Sequence, residues 1–238
     1  MTKTHDDSVS RFDQLFREKG IRSQRSYPNE QLIQFVAGNW FALAPEQRRE
    51  IRILEVGCGS GANLWMLAKE GFSVYGIDSS AAGIAIAESH LRDKWGVSAS
   101  LECGSVVDLP YGNGFFDAVV DVVTLQHLNL EDSARALAEI RRVLKPGGQF
   151  FSYRASDRCS MFLNSGADFV DAVTVSNVAN TAMPLHGNGP MSFWGPALVR
   201  QIYLAQGFEV ESIERHARTY GNCSCTVEYL AITAKNSS

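Results

Sequence analysis

The chain has 238 residues, of which 45% are hydrophobic and 20% are charged, a composition typical of a globular domain. Its net charge of −4 provides no basic surface of the kind that binds nucleic acid. The polar N-terminal residues lack the apolar core of a signal peptide, no apolar run is long enough to cross a bilayer, and the five cysteines show no disulfide spacing. We therefore expect a cytoplasmic protein with neither a nucleic-acid nor a membrane partner.

The first fifty residues predict a helical leader. Residues 8–19 and 30–43 both carry apolar side chains at helical spacing, and a polar loop, 22–29, joins them. Residues 45–50 form a charged linker to the part of the chain where strands and helices alternate. We expect a leader or lid at 1–50 and one ligand-binding domain at 51–238.

The stretch IRILEVGCGSG, from Ile51 to Gly61, dominates the second part of the chain. Its apolar first half predicts a buried parallel strand, and a helical pattern begins directly after its glycine-rich end. Glycines let the backbone turn sharply and let a ligand approach closely, and the first N–H groups of a helix are unpaired donors. The stretch therefore predicts a site for a nucleotide-like ligand.

The rest of the chain alternates strands and helices. Strands are predicted at 73–77, 97–102, 115–123, 149–153, 208–213 and 226–233, and helices begin at Ser79 or Ser80, at Leu130 and at Pro196. Together with the strand at Ile51, this pattern predicts an α/β fold with a seven-stranded, mostly parallel sheet and helices on both faces. Residues 155–195 interrupt the pattern after the fifth strand, with a weak helical patch at 169–178, and predict a lid-like insertion.

The glycine turn alone leaves two ligands open. Gly57-x-Gly59, followed by an acid at Asp78 after the next strand, nearly fits the dinucleotide fingerprint of NAD-dependent oxidoreductases. Three further signatures favour another ligand: Glu55-x-Gly57-x-Gly59-x-Gly61, GIDSS around Asp78, and LKPGG at Leu144–Gly148. In this order and spacing they resemble the class I S-adenosylmethionine-dependent methyltransferases, over about residues 32 to 234, and most of all the single-domain, Rossmann-like members that act on small molecules.

The resemblance implies S-adenosylmethionine as cofactor and assigns residues to its parts. Glu55 and the turn would face the methionine end, and Asp78 would accept hydrogen bonds from both ribose hydroxyls. Asp121 would line the methionine pocket, or would be a strand-end acid that caps nearby N–H groups. Tyr27 would cover the sulfonium by a cation–π contact, or would belong to a hydrogen-bonded loop. The remaining positions that would contact the cofactor are Cys58, Gly59, Gly61, Ser79, Ser105, Val106 and Val107.

The methyl acceptor is less well defined. We expect a hydroxyl group, such as that of a sugar or a secondary metabolite, with His127 as a candidate base or as a structural histidine. Tyr153, Arg154 and His186 are candidate substrate contacts at the carboxyl edge of the sheet and in the insertion. Cys223 and Cys225 lack a second ligand pair, so no metal site is expected. An NAD-dependent oxidoreductase and a cofactor-binding regulator without turnover are the competing functions; the sequence leaves the oligomeric state open.

Overall fold

A seven-stranded sheet lies at the centre of the computed structural model, which describes residues 3–237, with side chains from Arg11 onward. In chain order the strands are Arg52–Val56 (β1), Ser73–Asp78 (β2), Ser100–Cys103 (β3), Phe116–Val122 (β4), Leu144–Ala155 (β5), Thr174–Val175 (β6), Met191–Ser192 (β7), Phe208–Tyr220 (β8) and Cys225–Asn236 (β9). The large sheet has the order β3-β2-β1-β4-β5-β9-β8. Strands β1 to β5 are parallel, and β9 is antiparallel to both of its neighbours, β5 and β8, so β8 runs in the same direction as β1 to β5. The short strands β6 and β7 pair with each other. The expected α/β fold with a mostly parallel seven-stranded sheet is confirmed.

Helices cover both faces of this sheet. They are Lys3–Lys19 (α1), Glu30–Trp40 (α2), Pro45–Arg48 (α3), Leu64–Lys69 (α4), Ala81–Ser89 (α5), Leu130–Val143 (α6), Ser160–Leu163 (α7) and Pro196–Ala205 (α8). Short 3₁₀ turns follow α1 at Gly20–Ser23 and β4 at Leu125–His127, and a π turn at His90–Trp95 extends α5. The predicted helices at 8–19, 30–43, 130–144 and 196–206 agree with α1, α2, α6 and α8 to within a few residues over the described part.

The central strands are apolar throughout because both of their faces are buried. On β1, Leu54 packs into the core on one face of the sheet and Ile53 into the core on the other. On β4, Val119 packs into the same core as Leu54, and Val120 packs into the same core as Ile53. Side chains alternate between the faces of a strand, so a strand covered by helices on both sides needs apolar residues at successive positions.

The order of the strands determines where a ligand can bind. The chain moves from β1 outward through β2 to β3, and then returns to place β4 on the opposite side of β1. The connections that follow β1 and β4 therefore diverge, which opens a crevice at the carboxyl ends of these two strands. Open α/β sheets bind ligands at this kind of switch point.

Two local predictions were wrong. Residues 169–178 do not form a helix: the Asp171 side chain accepts the N–H groups of Val173 and Thr174, a local turn that competes with helical hydrogen bonding, and the chain enters β6. The last two strands are also much longer than expected, because β8 and β9 stay paired as far as Tyr220 and Cys225. The division of the chain into a leader and a domain at residue 50 stays a prediction.

Candidate functional site

A cavity of about 480 Å³ lies at the carboxyl ends of β1, β2 and β4. Its walls come from the glycine turn, from these strand ends, and from α1, the loop after it, the 155–195 insertion and β8. The lining residues are Phe12, Phe16, Gln24, Arg25, Glu55, Gly57, Cys58, Ala62, Asn63, Ile77, Asp78, Ser79, Gly104, Val106, Val122, Val123, Thr124, His127, Leu128, Leu185 and Arg218. This volume is within the usual range for a small-ligand site.

The glycine turn brings the backbone against the end of β2. The N–H groups of Gly57 and Cys58 donate to the Ile77 carbonyl at 2.7 and 3.0 Å, and Gly57 has a φ of +65°. A Cβ atom at Gly57 would lie 2.1 Å from Thr124 Oγ1, so only glycine fits between this turn and the turn after β4. Gly59 and Gly61, which also have positive φ, shape the turn without lining the cavity.

Glu55 is a carboxyl group buried at the bottom of the cavity. Its Oε1 atom accepts a hydrogen bond from Asn63 Nδ2, while Oε2 has no protein partner. Burial raises the pKa of Glu55 to about 8, against the opposing effects of Asn63 and the nearby Arg25 charge. A cationic ligand group beside Oε2 would supply the missing partner and would favour the charged carboxylate.

Asp78 is the second carboxyl group in the cavity, at the end of β2. Its Oδ2 accepts the Gly59 N–H and its Oδ1 accepts the Ser80 N–H, both at 2.8 Å. Burial raises the pKa of Asp78 despite these bonds. Each carboxylate oxygen keeps acceptor capacity, because it can accept more than one hydrogen bond. The backbone therefore holds Asp78 in position for a ligand that presents hydroxyl groups.

The leader forms one wall of the cavity. Phe12 and Phe16 of α1 line it, and Asp13 attaches the helix to the sheet domain by accepting the Ser80 hydroxyl at 2.6 Å. Burial of Phe16 against Gly83 adds apolar contact between α1 and α5. The sequence predicted an apolar face on this helix but did not show that the face would cover the ligand site.

His127 lines the cavity on the side of the 155–195 insertion. Its Nδ1 lies 2.9 Å from the Pro190 carbonyl oxygen, which can only accept, so Nδ1 carries the proton and Nε2 carries the lone pair. The Phe12 ring packs edge-on against the imidazole, with 4.9 Å between ring centroids. Burial lowers the pKa of His127 to about 4, which keeps the ring neutral at pH 7.

The structure brings together Glu55, Gly57, Cys58, Asp78, Ser79, Val106 and His127, all of which were predicted from the sequence and line one cavity. Ser105 and Val107 do not line it. Val107 packs into the core instead, and the Ser105 hydroxyl accepts the Val107 N–H in the local turn. The cofactor contacts predicted for these two residues stay predictions.

Asp121 does not line the cavity; it accepts backbone N–H groups at the end of β4, which is the second of the two roles predicted for it. The side chain is fully buried at the end of β4. It accepts the N–H groups of Thr124 and Leu125 at 2.9 and 3.1 Å and the Ser152 hydroxyl at 2.6 Å. These bonds direct Asp121 into the protein and away from the cavity.

Four predicted ligand contacts lie outside the cavity. Tyr153 and Arg154 are adjacent on β5 and so point to opposite faces: Tyr153 stacks on Tyr229, and the fully buried Arg154 stacks on Trp194 at 3.6 Å. His186 is exposed in the insertion. Tyr27 is 63% exposed, with Lys94 Nζ 5.5 Å from its ring centroid.

Several lining residues were missed in the sequence. Arg218 lies in the part of β8 that extends beyond the predicted strand, so its position follows only from the length of the hairpin. Thr124 and Asn63 lack a distinctive local pattern, although each contacts a predicted residue, Gly57 and Glu55 respectively. Leu185 reaches the cavity from an insertion without regular periodicity.

The site fits S-adenosylmethionine on the observations above. Oε2 of Glu55 lacks a partner beside a space for an ammonium group, and Asp78 can accept hydrogen bonds from vicinal hydroxyls. Ile77 and Val106 supply apolar wall next to Asp78. Among residues 11–237, whose side chains the structure describes, no group of three or more His, Cys, Asp or Glu is placed to hold a metal ion. None of the helices within residues 3–237 is long and apolar enough to cross a membrane.

Comparison with known proteins identifies relatives whose sequences are similar to that of this chain. Residues 53–148 match a family model described as a methyltransferase domain. The chain is 32% identical over 163 residues to the ubiquinone biosynthesis O-methyltransferase of Thiobacillus denitrificans, an alignment that covers 68% of this chain and 66% of the relative. It is 30% identical over 141 residues to demethylmenaquinone methyltransferase of Symbiobacterium thermophilum, with 55% of each covered. The chain spans about half the length of the curated relatives it matches, from 37% to 66%.

The fold has a solved counterpart in 1,6-didemethyltoxoflavin-N1-methyltransferase from Burkholderia thailandensis. That structure contains 1,6-didemethyltoxoflavin and S-adenosylhomocysteine. The TM-score is 0.66 at 17% identity, and the match covers all of this chain and 92% of the other. At this identity the likeness shows a shared fold.

Proposed function

Because the chain belongs to the class I S-adenosylmethionine-dependent methyltransferases, we propose that it transfers a methyl group from S-adenosylmethionine to a hydroxyl group of a small molecule. The observation that carries the proposal is the pair of carboxyl groups, Glu55 and Asp78, that face one cavity from the two sides of the glycine turn. The relative named as an O-methyltransferase supports oxygen as the acceptor atom.

The residues of the cavity have separate tasks in holding the cofactor. Glu55, positioned by Asn63, would bind the ammonium group of the methionine part. Asp78, positioned by the Gly59 and Ser80 N–H groups, would accept the ribose hydroxyls. Ile77 and Val106 would contact the adenine. When bound, the sulfonium supplies an activated methyl group, so alignment of the acceptor is the main requirement left to the protein.

His127 is suited to take the proton from a hydroxyl acceptor. Its Nδ1–H donates to Pro190, so the basic lone pair is on Nε2, which lies 3.5 Å from Gln126 Nε2. Burial lowers the pKa of His127 to about 4, so the ring is neutral at pH 7 and is a weaker base than a free imidazole. Phe12, Leu128 and Leu185 line the same cavity and give it apolar wall. A hydroxyl is the acceptor class that gains most from a neutral base at this position.

Calorimetry and isotope transfer test this function. We expect S-adenosylhomocysteine to bind with about 1:1 stoichiometry and NAD not to bind. Incubation with methyl-labelled S-adenosylmethionine and fractionated metabolite pools is expected to label at least one small molecule, whose methylated atom is then identified by mass spectrometry and NMR. Binding of NAD in place of S-adenosylhomocysteine would refute the proposal. Cofactor binding without transfer to any pool would favour the regulator.

Replacement of His127 tests the proton-transfer step. Asn can still donate to the Pro190 carbonyl but has no basic nitrogen, so His127→Asn is expected to lower kcat by about 10²-fold or more while S-adenosylhomocysteine affinity is kept. The variant is assayed with the acceptor found in the labelling screen. Full turnover by His127→Asn would show that the histidine is structural.

A further inference from the structure

Arg154 is a fully buried arginine near the carboxyl end of β5. Its Nη2 atom donates to the Ser192 hydroxyl at 2.8 Å, while Nε and Nη1 have no partner among the residues that the structure describes. Over residues 11–237, no carboxylate lies within ion-pair distance of this guanidinium. Burial lowers the pKa of Arg154 to about 10, so the side chain still carries its positive charge at pH 7.

Three side chains around Arg154 add polar atoms that lack partners within the described part of the chain. The Cζ atom of Arg154 lies 3.6 Å from the centroid of the Trp194 ring, and Trp194 Nε1 makes no hydrogen bond there. Thr174 is the cross-strand partner of Ser192 in the β6–β7 pair, and its hydroxyl is also unpaired in this region. The unpaired Tyr203 hydroxyl comes from α8, close enough that Tyr203 and Arg154 shift each other's pKa.

We use the name arginine cluster for these four fully buried residues, Arg154, Thr174, Trp194 and Tyr203. The Nε and Nη1 atoms of the arginine and the indole Nε1 can only donate hydrogen bonds, and the two hydroxyls can donate as well. A group that completes the cluster must therefore accept hydrogen bonds.

The arginine charge also has no acid in direct contact with it. Asp121 is the acid whose charge acts on Arg154, but its carboxylate accepts two backbone N–H groups and the Ser152 hydroxyl. A buried cation that lacks a contacting anion is unfavourable, because the low-dielectric interior does not replace its hydration. Negative charge placed against the guanidinium would supply both the missing acceptor and the missing counter-charge.

We propose that the arginine cluster binds one small monovalent anion, of the size of chloride. All of its members are buried and none of them lines the ligand cavity, so the site takes an ion and not a methyl acceptor. Thr174 and Trp194 belong to the 155–195 insertion, and the anion would hold this insertion against β5. The Ser192 hydroxyl beside Arg154 also donates to the carbonyl of Gln126, next to His127, so the anion would support the cavity wall from behind.

Bromide locates such a site directly, because it replaces chloride and scatters X-rays anomalously. Crystals of the full-length protein are prepared with sodium bromide in place of chloride, and the anomalous difference map is calculated from data collected at the bromine edge. We expect a peak within about 3.5 Å of the Arg154 and Trp194 nitrogen atoms. Water oxygens alone at the cluster, or no density there, would overturn the proposal.

The melting temperature measures whether the ion binds in solution. An anion that binds only the folded state raises the melting temperature, and sodium gluconate, whose anion is too large for the site, keeps the ionic strength constant. We expect about 0.2 M chloride to raise the melting temperature of wild type by about 3 °C or more. In Trp194→Phe and Tyr203→Phe, which each remove one donor, this rise is expected to fall by about half or more.

Tyr111→Phe is the matched control for the two cluster variants. The Tyr111 hydroxyl is also buried without a partner in the described structure, but it lies outside the cluster, so its loss is expected to keep the full chloride effect. The melting temperature in gluconate gives each variant its own baseline, which separates the packing lost at Trp194 from the loss of the ion.

The two measurements decide the proposal together. A bromide peak at the cluster, with a chloride effect that Trp194→Phe and Tyr203→Phe reduce, supports the site. A peak without a chloride effect would mark an adventitious ion only. A chloride effect of equal size in wild type, the cluster variants and Tyr111→Phe would be general stabilisation by salt. Either of these last two results overturns the proposal, and none of the outcomes depends on the methyltransferase reaction.

Discussion

Glu55 lies in a buried environment that disfavours its charged form, and a cationic ligand would favour that form. Burial raises its pKa from 4.5 to about 8, so the folded protein retains a proton that the unfolded chain loses above about pH 4.5. Since the folded state binds more protons in this range, its free energy of unfolding falls as the pH rises from about 4.5 to about 8. Without a ligand, the contribution of Glu55 to the free energy of unfolding is thus least favourable at about pH 8 and above.

Glu55→Gln is expected to remove this dependence. Gln can still accept the Asn63 hydrogen bond through its amide oxygen but does not ionise. The unfolding free energy of the variant, relative to wild type, is expected to increase by at most about 1.4 kcal/mol per pH unit between pH 4.5 and 8. Urea unfolding of both ligand-free proteins at pH 5, 6, 7 and 8 measures the difference between their free energies of unfolding. Asp78 is present in both proteins, so its contribution cancels in this difference. A difference that does not change with pH would contradict the assignment.

Gly57 is the second residue whose role follows from local geometry. Its φ of +65° disfavours any side chain, and a Cβ would overlap the Thr124 side chain. Gly57→Ala is therefore expected to destabilise the protein by about 1–3 kcal/mol and to weaken S-adenosylhomocysteine binding at least tenfold. Thermal unfolding and calorimetry measure the two effects.

Gly38 supplies the matched control for Gly57. It lies inside α2, and a Cβ there would meet nothing within 4 Å. Gly38→Ala is expected to be neutral or to stabilise by up to about 1 kcal/mol, because alanine favours the helix. Equal effects of the two replacements would show that the turn tolerates a side chain.

At the scale of the elements, the end of β4 depends on Asp121. This carboxylate accepts two backbone N–H groups and one hydroxyl, which together fix the turn that carries Thr124 and His127 toward the cavity. Its electrostatic influence also extends to the buried Arg154. Asp121 thus supports the site although it is not among the residues that line the cavity.

A pair of replacements separates this structural role from cofactor binding. Asp121→Ala leaves buried donors without an acceptor and is expected to cost about 2–4 kcal/mol of unfolding free energy. Asp121→Asn can keep the three hydrogen bonds, because its amide group can donate to Ser152, and is expected to cost less. S-adenosylhomocysteine affinity of the folded Asn variant is expected to stay within about threefold of wild type. A loss of affinity of tenfold or more would show that Asp121 takes part in cofactor binding.

The elements that could be predicted from the sequence are those with a strong local pattern. The apolar run before Gly57 and the helical spacing of α6 follow from burial alone, so β1 and α6 lie close to where the sequence predicted a strand and a helix. Arg218 could not be placed, because the length of the β8–β9 hairpin depends on pairing between distant residues. Tyr153 and Arg154 were both assigned to the rim, although alternation along a strand allows only one of two neighbours to face it.

At the scale of the whole molecule, α1 covers the cavity and is attached to the rest of the protein at few points. Asp13 of α1 accepts the Ser80 hydroxyl and, at 3.3 Å, the Ala82 N–H, and hydrogen bonds to Ser80 and Arg17 lower its pKa. Of the α1 side chains that the structure describes, Phe12 and Phe16 line the cavity. A segment with so few contacts to the domain opens more readily than the sheet, so ligand binding and docking of α1 should be coupled.

Hydrogen exchange measures this coupling directly. We expect S-adenosylhomocysteine to slow amide exchange in residues 11–19 of α1 by about tenfold or more, because the ligand fills the space beneath Phe12 and Phe16. The α6 helix, which packs on the sheet away from the cavity, serves as the internal reference and should change much less. Asp13→Ala is expected to speed exchange in α1 of the free protein and to weaken cofactor binding severalfold, since docking then costs more free energy. If the ligand leaves α1 exchange unchanged in wild type, the helix is a fixed wall of the cavity and the coupling is absent.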